Sequence, residues 1–373
     1  MRFANNVFAG LALLGGVAVA HPGHNVAEEA AERREFLSSV KRSSLAHCAG
    51  KMKARGVKAR NVARRSAQIE KARQKRGLKK RDLDTVLNTS HNKTDEGYTV
   101  NTDAATLFAG INSCVLTPEG GLDIVLDYQV IDVETCDPIP DVYLEMWHCN
   151  STGVYSGILA SGNGDSSDKT NIDNTWLRGI QLTDSDGVAQ FESIFPGHYT
   201  SRATHIHIMV HTNATLLANQ TLGSENYASH VGQAFFDQGL ITDVELLEPY
   251  DTNTQELTTN EEDSILAEEV ATDGVDPVME YTLLGDSVAD GLFAWLAFGI
   301  NSTQSSSVTP AAFLYAEGGV ANDNSGMGGG GGGDAPGGTP PSGSGATGTP
   351  LSGFATSAST GAAVTTKNSK CKV

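Results

Sequence analysis

An all-β sandwich core with long loops is expected between residues 97 and 317, on two observations. Apolar residues recur at every second position in short runs, the period of a strand that buries one face. Between the runs lie clusters of Gly, Asp, Asn and Pro, which turns demand, rather than the longer helical segments of a βαβ unit. In chain order, "LDIVLDYQVIDV" (122–133) reads as a strand, "CDPIPD" (136–141) as a turn and "DVYLEMWHC" (141–149) as the next strand. Residues 151–175 are long polar loops. "TDSDG" (183–187) turns the chain into the strand "GVAQFESIF" (187–195), and "THIHIMVH" (204–211) is a further strand. The acidic stretch 253–275 could form a surface helix, and "GLFAWLAFGI" (291–300) is too short for a membrane span and reads as core.

The flanks differ in composition. Residues 1–20, with Arg2, an apolar run and Ala18-Val19-Ala20, have the form of a secretory signal peptide. Residues 21–81 carry 18 Lys/Arg against 5 Glu and end in Lys79-Lys80-Arg81. This is the form of a charged, helical pro-segment cut at a dibasic site; a solvated helix that stays attached is the alternative. Beyond Arg81, 7 basic residues face 39 acidic ones, a balance that repels nucleic acid and anionic membranes. Residues 318–373 are rich in Gly, Ser and Thr and too poor in apolar residues to fold, so a disordered tail is expected.

A secreted, extracellular, soluble protein follows from these features. Six N-x-S/T sequons, at Asn88, Asn92, Asn150, Asn213, Asn219 and Asn301, agree with that compartment. Of the five cysteines, Cys136 and Cys149 are the expected disulfide, because a hairpin could bring their strands together. The partner of Cys114 stays open, and Cys48 and Cys371 fall outside the expected core.

The chemistry begins at "SRATHIHIMVH" (201–211). Side chains i and i+2 of a strand share a face, so His205 and His207 project together and can hold one metal ion. An H-x-H on a half-exposed strand can equally be polar surface. His211 lies too far along an extended strand to join them. Upstream, Tyr155 follows a glycine turn in "WHCNSTGVYSG", and Tyr199 stands behind Pro196-Gly197. Phenolate is a hard anionic donor, and two of them beside two imidazoles suit a hard trivalent cation such as non-haem Fe(III). Two phenolates would leave such a centre with enough positive charge to attract a further dianion.

"VIDVETCDPIPDVYLEMWHCNSTGVYSG", "WLRGIQLTDSDGVAQFESIFPGHYTSRATHIHIMVH" and "VGQAFFD" together resemble the intradiol ring-cleavage dioxygenases, most closely their secreted fungal branch. The resemblance covers roughly 110–250 and implies a ferric ion held by Tyr155, Tyr199, His205 and His207. It also implies an active-site arginine, Arg202, three residues before the first histidine, and a glutamine, Gln233, on a later strand. The implied reaction opens a catechol ring between its two hydroxylated carbons with O2, giving a muconate-type dicarboxylic acid, and a homodimer stays open. Tyr199 would be the tyrosinate that takes a catechol proton, and Arg202 would stabilise anionic charge on the ring. The chain departs from the family after "CVLTPE" (114–119), where a segment that helps wall the pocket is shortened.

Other residues have plainer readings. Trp147 and Trp176 read as core packing, Arg178 as a loop brace, and His148 and His198 as neighbours of the site or exposed. His21 could bind copper once a signal is removed. A non-catalytic prealbumin-like sandwich that binds without metal is the alternative from another class, since "PDVYLEMW", "TDSDGVAQF" and "FPGHY" also fit that plan. A cupin-type centre would want an acidic residue soon after H-x-H, and "HIHIMVH" has none.

Overall fold

The computed structural model describes residues 44–77, 120–159, 163, 167–216, 222, 227–228, 230–271, 275–307, 311–315 and 318–321, together with 26, 27, 30, 31 and 34. The expected signal peptide and tail, His21, Cys114, Cys371, the dibasic cluster and the shortened segment after "CVLTPE" lie outside these residues, apart from Gly318–Ala321.

Two helices, α1 (Ala49–Ala54) and α2 (Val57–Lys75), precede the strands β1 (Asp123–Asp132), β2 (Tyr143–Trp147), β3 (Arg178–Leu182), β4 (Val188–Ile194) and β5 (His205–His211). After β6 (Tyr227–Ala228) and β7 (His230–Phe235) come the short helices α3 (Gln238–Val244) and α4 (Ser264–Val270). The chain then forms β8 (Glu280–Leu283), β9 (Leu292–Ile300), β10 (Ser306–Ser307), β11 (Ala312–Tyr315) and β12 (Gly318–Ala321). Two four-stranded sheets form the sandwich, one in the order β4-β1-β9-β8 and the other β3-β2-β5-β7. All neighbours within them are antiparallel except β1 and β9, which run parallel. The all-β class and the four strands read from the sequence up to residue 211 are found within a residue or two of their expected bounds.

The core follows from alternation. Ile124, Leu126, Tyr128 and Val130 of β1 face Leu144 and Met146 of β2 and Ile206, Ile208 and Val210 of β5, and β9 adds Leu292, Ala294 and Leu296. At ~25 cal/mol per Å² of apolar surface removed from water, this interior is the main source of stability. The odd-numbered residues of β1, β2, β5 and β9 point the other way, and what covers them differs.

On the first sheet the cover is the basic N-terminal segment. Helix α2 is built from Ala, Lys, Arg and Gln, strong helix formers, and lays Ile69 and Ala72 against Val125, Phe293 and Trp295. Leu45, Met52 and Val57 pack on Ile131 and Val133. That cover explains why β1 is buried on both faces, a pattern that alternation alone would not produce. Charge follows the same division. The carboxylate of Asp127, fully buried, has Arg64 and Arg65 each at 3.4 Å and accepts from Gln190 at 2.5 Å. Arg55 pairs with Asp137, Lys75 with Glu192 at 2.5 Å and Arg76 with Asp123 at 3.3 Å. The segment's cations thus neutralise a sandwich that has almost none of its own, and a charge as buried as Asp127 requires such partners.

Two expectations are corrected. The disulfide is Cys48–Cys136, across 88 residues, and Cys149 is a buried free thiol. Cys136 lies just beyond the end of β1, where Cys48 reaches it at a Cα–Cα distance of 5.3 Å. Cys149 instead follows β2 in the other sheet and donates its S–H to the Gly197 carbonyl at 3.1 Å. The acidic stretch 253–275 is not one helix, since only Ser264–Val270 is helical in its described part. Residues 253–262 bind their own backbone through side chains, Gln255 N–H to Asn253 Oδ1 at 3.1 Å and Thr259 N–H to Glu262 Oε2 at 3.0 Å, which competes with helix.

Protease cleavage after Arg81 should therefore leave the N-terminal fragment attached, releasing it on denaturing gels only when a reductant is added. Cys48→Ser should release it without reductant and lower stability by about 3 to 5 kcal/mol, read from denaturant melts.

Candidate metal centre

The centre forms on the outer face of the second sheet. Since Ile206, Ile208 and Val210 of β5 enter the core, His205 and His207 must face outward. In register, His207 stands opposite Trp147 of β2 on one side and Gln233 of β7 on the other. Two loops close over this face and bury it.

The first loop carries Tyr155. Asn150 starts it as an Asx turn, its Oδ1 accepting from the backbone N–H of Thr152 at 3.0 Å and of Val154 at 2.9 Å. Asn163 accepts from Tyr155 N–H at 2.6 Å, and Asn171 donates to the Tyr155 carbonyl at 2.6 Å, so the residue's backbone is clamped on both sides. The second loop carries Tyr199, followed by a tight turn in which Ser201 takes a positive φ of 72° and sets Arg202 beside Tyr199. The loops touch through glycines. A Cβ on Gly153 would collide with the His198 carbonyl oxygen, and one on Gly197 with the Ser151 carbonyl oxygen.

Four side-chain tips meet there. His205 Nε2 is 3.2 Å from His207 Nε2, 3.3 Å from Tyr199 Oη and 3.5 Å from Tyr155 Oη. The four residues are between 0% and 6% exposed, so no solvent explains the convergence of their polar atoms. His205 Nδ1 lies 2.6 Å from the Ala203 carbonyl, which can only accept, so Nδ1 carries the proton and Nε2 offers its lone pair to the cluster. Burial, with the Arg202 charge next, holds the His205 pKa well below its ordinary value and keeps the ring neutral. Burial, and then the neighbouring Tyr199, push the Tyr155 phenol well above its ordinary value. Two imidazoles and two phenols facing one point suit a cation. Separations of 3.2 to 3.5 Å are those of atoms each about 2.0–2.2 Å from one shared ion. The donor set therefore fits a ferric ion.

Around the cluster, Arg202 donates to Gln233 Oε1 and, from Nε, to Asp263 Oδ2 at 3.0 Å. Trp147 stacks edge-on against Tyr155 with ring centroids 4.9 Å apart. Three other histidines serve elsewhere. His211 pairs with Glu145 at 3.1 Å, His148 bonds Ser193 Oγ at 2.8 Å, and His198 bonds Glu245 at 2.9 Å. Arg178 does brace a loop, donating to the Ser156 carbonyl at 3.0 Å while its guanidinium lies over the Trp147 ring. The only other cluster of metal-binding type found among the described residues, His47 with Cys48 and Cys136, has both sulfurs in the disulfide.

Sequence reasoning missed Asn163, Asn171, Gln255 and Asp263. Gln255 spans both tyrosine loops, donating to the Thr152 carbonyl at 3.1 Å and accepting from Thr200 N–H at 3.4 Å. Polar loop residues carry no period, so nothing in the sequence marks which backbone they will hold. The Asn150 sequon is also corrected, because its side chain is committed to the Asx turn and 4% exposed.

A family model described as dioxygenase matches residues 109–219. Those residues are similar to the dioxygenase family. They include all four converging side chains and Arg202, and most of the resemblance to intradiol ring-cleavage dioxygenases read in the sequence falls on them, "VGQAFFD" with Gln233 lying beyond. Among solved structures, the chain is similar to an intradiol ring-cleavage dioxygenase from Tetranychus urticae (26% identity, 53% of this chain and 91% of that one, TM-score 0.41). It is also similar to catechol 1,2-dioxygenase from Pseudomonas arvilla C-1 (16% identity, 54% and 60%, TM-score 0.30). A third is hydroxyquinol 1,2-dioxygenase from Pseudomonas putida DLL-E4 (16% identity, 58% and 70%, TM-score 0.29). No curated protein matches.

Gly153→Ala in this dioxygenase-like segment should cost about 2 to 4 kcal/mol, since both the positive φ and the facing carbonyl oppose it. Thermal melts and bound iron should fall together. Tyr155→Phe or His205→Ala should abolish iron retention, measured by elemental analysis, with the circular dichroism of the sandwich unchanged.

Proposed function

We propose that the protein is a secreted non-haem Fe(III) dioxygenase that opens catechol-type rings between the two hydroxylated carbons, consuming O2 and yielding muconate-type dicarboxylates. The observation that supports this most is the meeting of Tyr155, Tyr199, His205 and His207 at one buried point. A metal-free binding sandwich has no use for it.

When bound, the ferric ion would hold the phenols as phenolates and draw electron density from a chelated catecholate, making a ring carbon reactive toward O2. The protein's own groups divide the remaining work. His205 and Tyr155 are the fixed donors, the one oriented by the Ala203 carbonyl and the other by Asn163 and Asn171. Tyr199 precedes a turn and is the slightly more exposed phenol, 6% against 0% for Tyr155, and it is the one assigned to take a catechol proton at Oη. Arg202 supplies positive charge to the oxygens of the ring, in a site from which burial excludes water. Gln233 accepts from that guanidinium and helps hold its direction.

Secretion is supported by the N-terminal sequence and by a disulfide that persists only in oxidising surroundings.

The purified protein, loaded with ferric ion, should be red from tyrosinate-to-iron charge transfer. Catechol added without O2 should shift that band to longer wavelength, and admitting air should replace it with muconate absorbance in the ultraviolet. A colourless protein after reconstitution would favour the binding module.

A further inference from the structure

We propose that Asp263, in the acidic strap between α3 and α4, is the positioning residue that fixes the Arg202 guanidinium beside the metal centre. The inference rests on the proposed function. Asp263 lies 61 residues from Arg202, yet its Oδ2 accepts from Arg202 Nε at 3.0 Å and from Ala203 N–H at 2.7 Å. Its Oδ1 accepts from the N–H groups of Ile265 and Leu266 at 2.8 and 2.9 Å. With four donors in place, the carboxylate has no freedom to turn. The two side chains are 2% and 0% exposed, and a pair this deep holds its geometry against solvent.

The consequences concern direction and charge. Nε is taken by Asp263 and one terminal nitrogen by Gln233, so the plane of the guanidinium is set from two elements, the strap and β7. Asp263 also grips the backbone of Ala203, whose carbonyl receives the His205 Nδ1 proton. Of the three basic residues in the described sandwich, Lys169 is exposed and Arg178 is engaged with Ser156 and Trp147. Arg202, held by Asp263 and Gln233, is the one of the three that adjoins Tyr199, and its aim determines how much of its field falls on the reacting ring.

Asp263→Ala would also uncap α4 and could unfold the strap. Asp263→Asn keeps an oxygen for Ile265 and Leu266 and turns an amide toward Arg202 Nε and the Ala203 N–H, so it removes the contacts of Oδ2 while leaving the cap of α4 in place. In metal-free protein labelled with 15N-arginine, the Arg202 Nε–H, identified by its loss in Arg202→Lys, should be protected from exchange. In Asp263→Asn it should exchange at least about tenfold faster. With iron loaded, Asp263→Asn should melt at a lower temperature, since a buried ion pair loses one partner, yet keep its iron content and red colour below that melt while kcat for catechol falls about tenfold or more and KM changes less. Unchanged Nε–H protection, or turnover within about twofold of wild type at equal iron content, would overturn the assignment. So would loss of iron together with turnover, which would make Asp263 a support of the metal centre instead. Failure of the unsubstituted protein to take up iron is a separate result that overturns the proposed function and removes the reaction Asp263 would serve.

Discussion

Strict alternation along β5 is the constraint on which the rest of the structure depends. Ile206, Ile208 and Val210 have no stable place except the interior between the sheets, and their burial forces His205 and His207 onto the opposite face. A slip of one residue would exchange the two sets. The hydrophobic core therefore aims the donors, and the energy that holds the sandwich together is the same energy that fixes the site.

A bare sheet face could not make that site work, because water would hydrate the imidazoles and phenols separately. What converts the face into a centre is its cover. The loops of Tyr155 and Tyr199 have few apolar residues to hold them, so they are held by hydrogen bonds to backbone from Asn150, Asn163, Asn171 and Gln255, and by glycines where main chains touch. Buried polar groups satisfied in this way give a defined geometry. The acidic strap contributes twice, through Gln255 to the tyrosine loops and through Asp263 to Arg202.

The opposite outer face meets the same problem with a different solution. The first sheet is covered by a basic helix, and carboxylates that would otherwise repel one another, Asp123, Asp127, Asp137 and Glu192, find partners there. A segment whose composition reads as removable is joined to the sandwich by a disulfide, an apolar contact and a buried charge cluster. If the chain is cut beyond it, the two pieces have every reason to remain one molecule.

The candidate roles of Tyr155, Tyr199, Arg202 and Gln233 rested on a resemblance in motif order, while four strands up to residue 211 and the shared face of His205 and His207 were legible in the sequence, because alternation is a local property of the chain. The pairing of Cys48 with Cys136, the burial of Asn150 and the reach of Asp263 to Arg202 were not. Each depends on which elements pack against which, a matter of contacts between residues as many as 88 apart in sequence. Local pattern decides what a residue can do and which way it points; only the closed tertiary structure decides what it meets there.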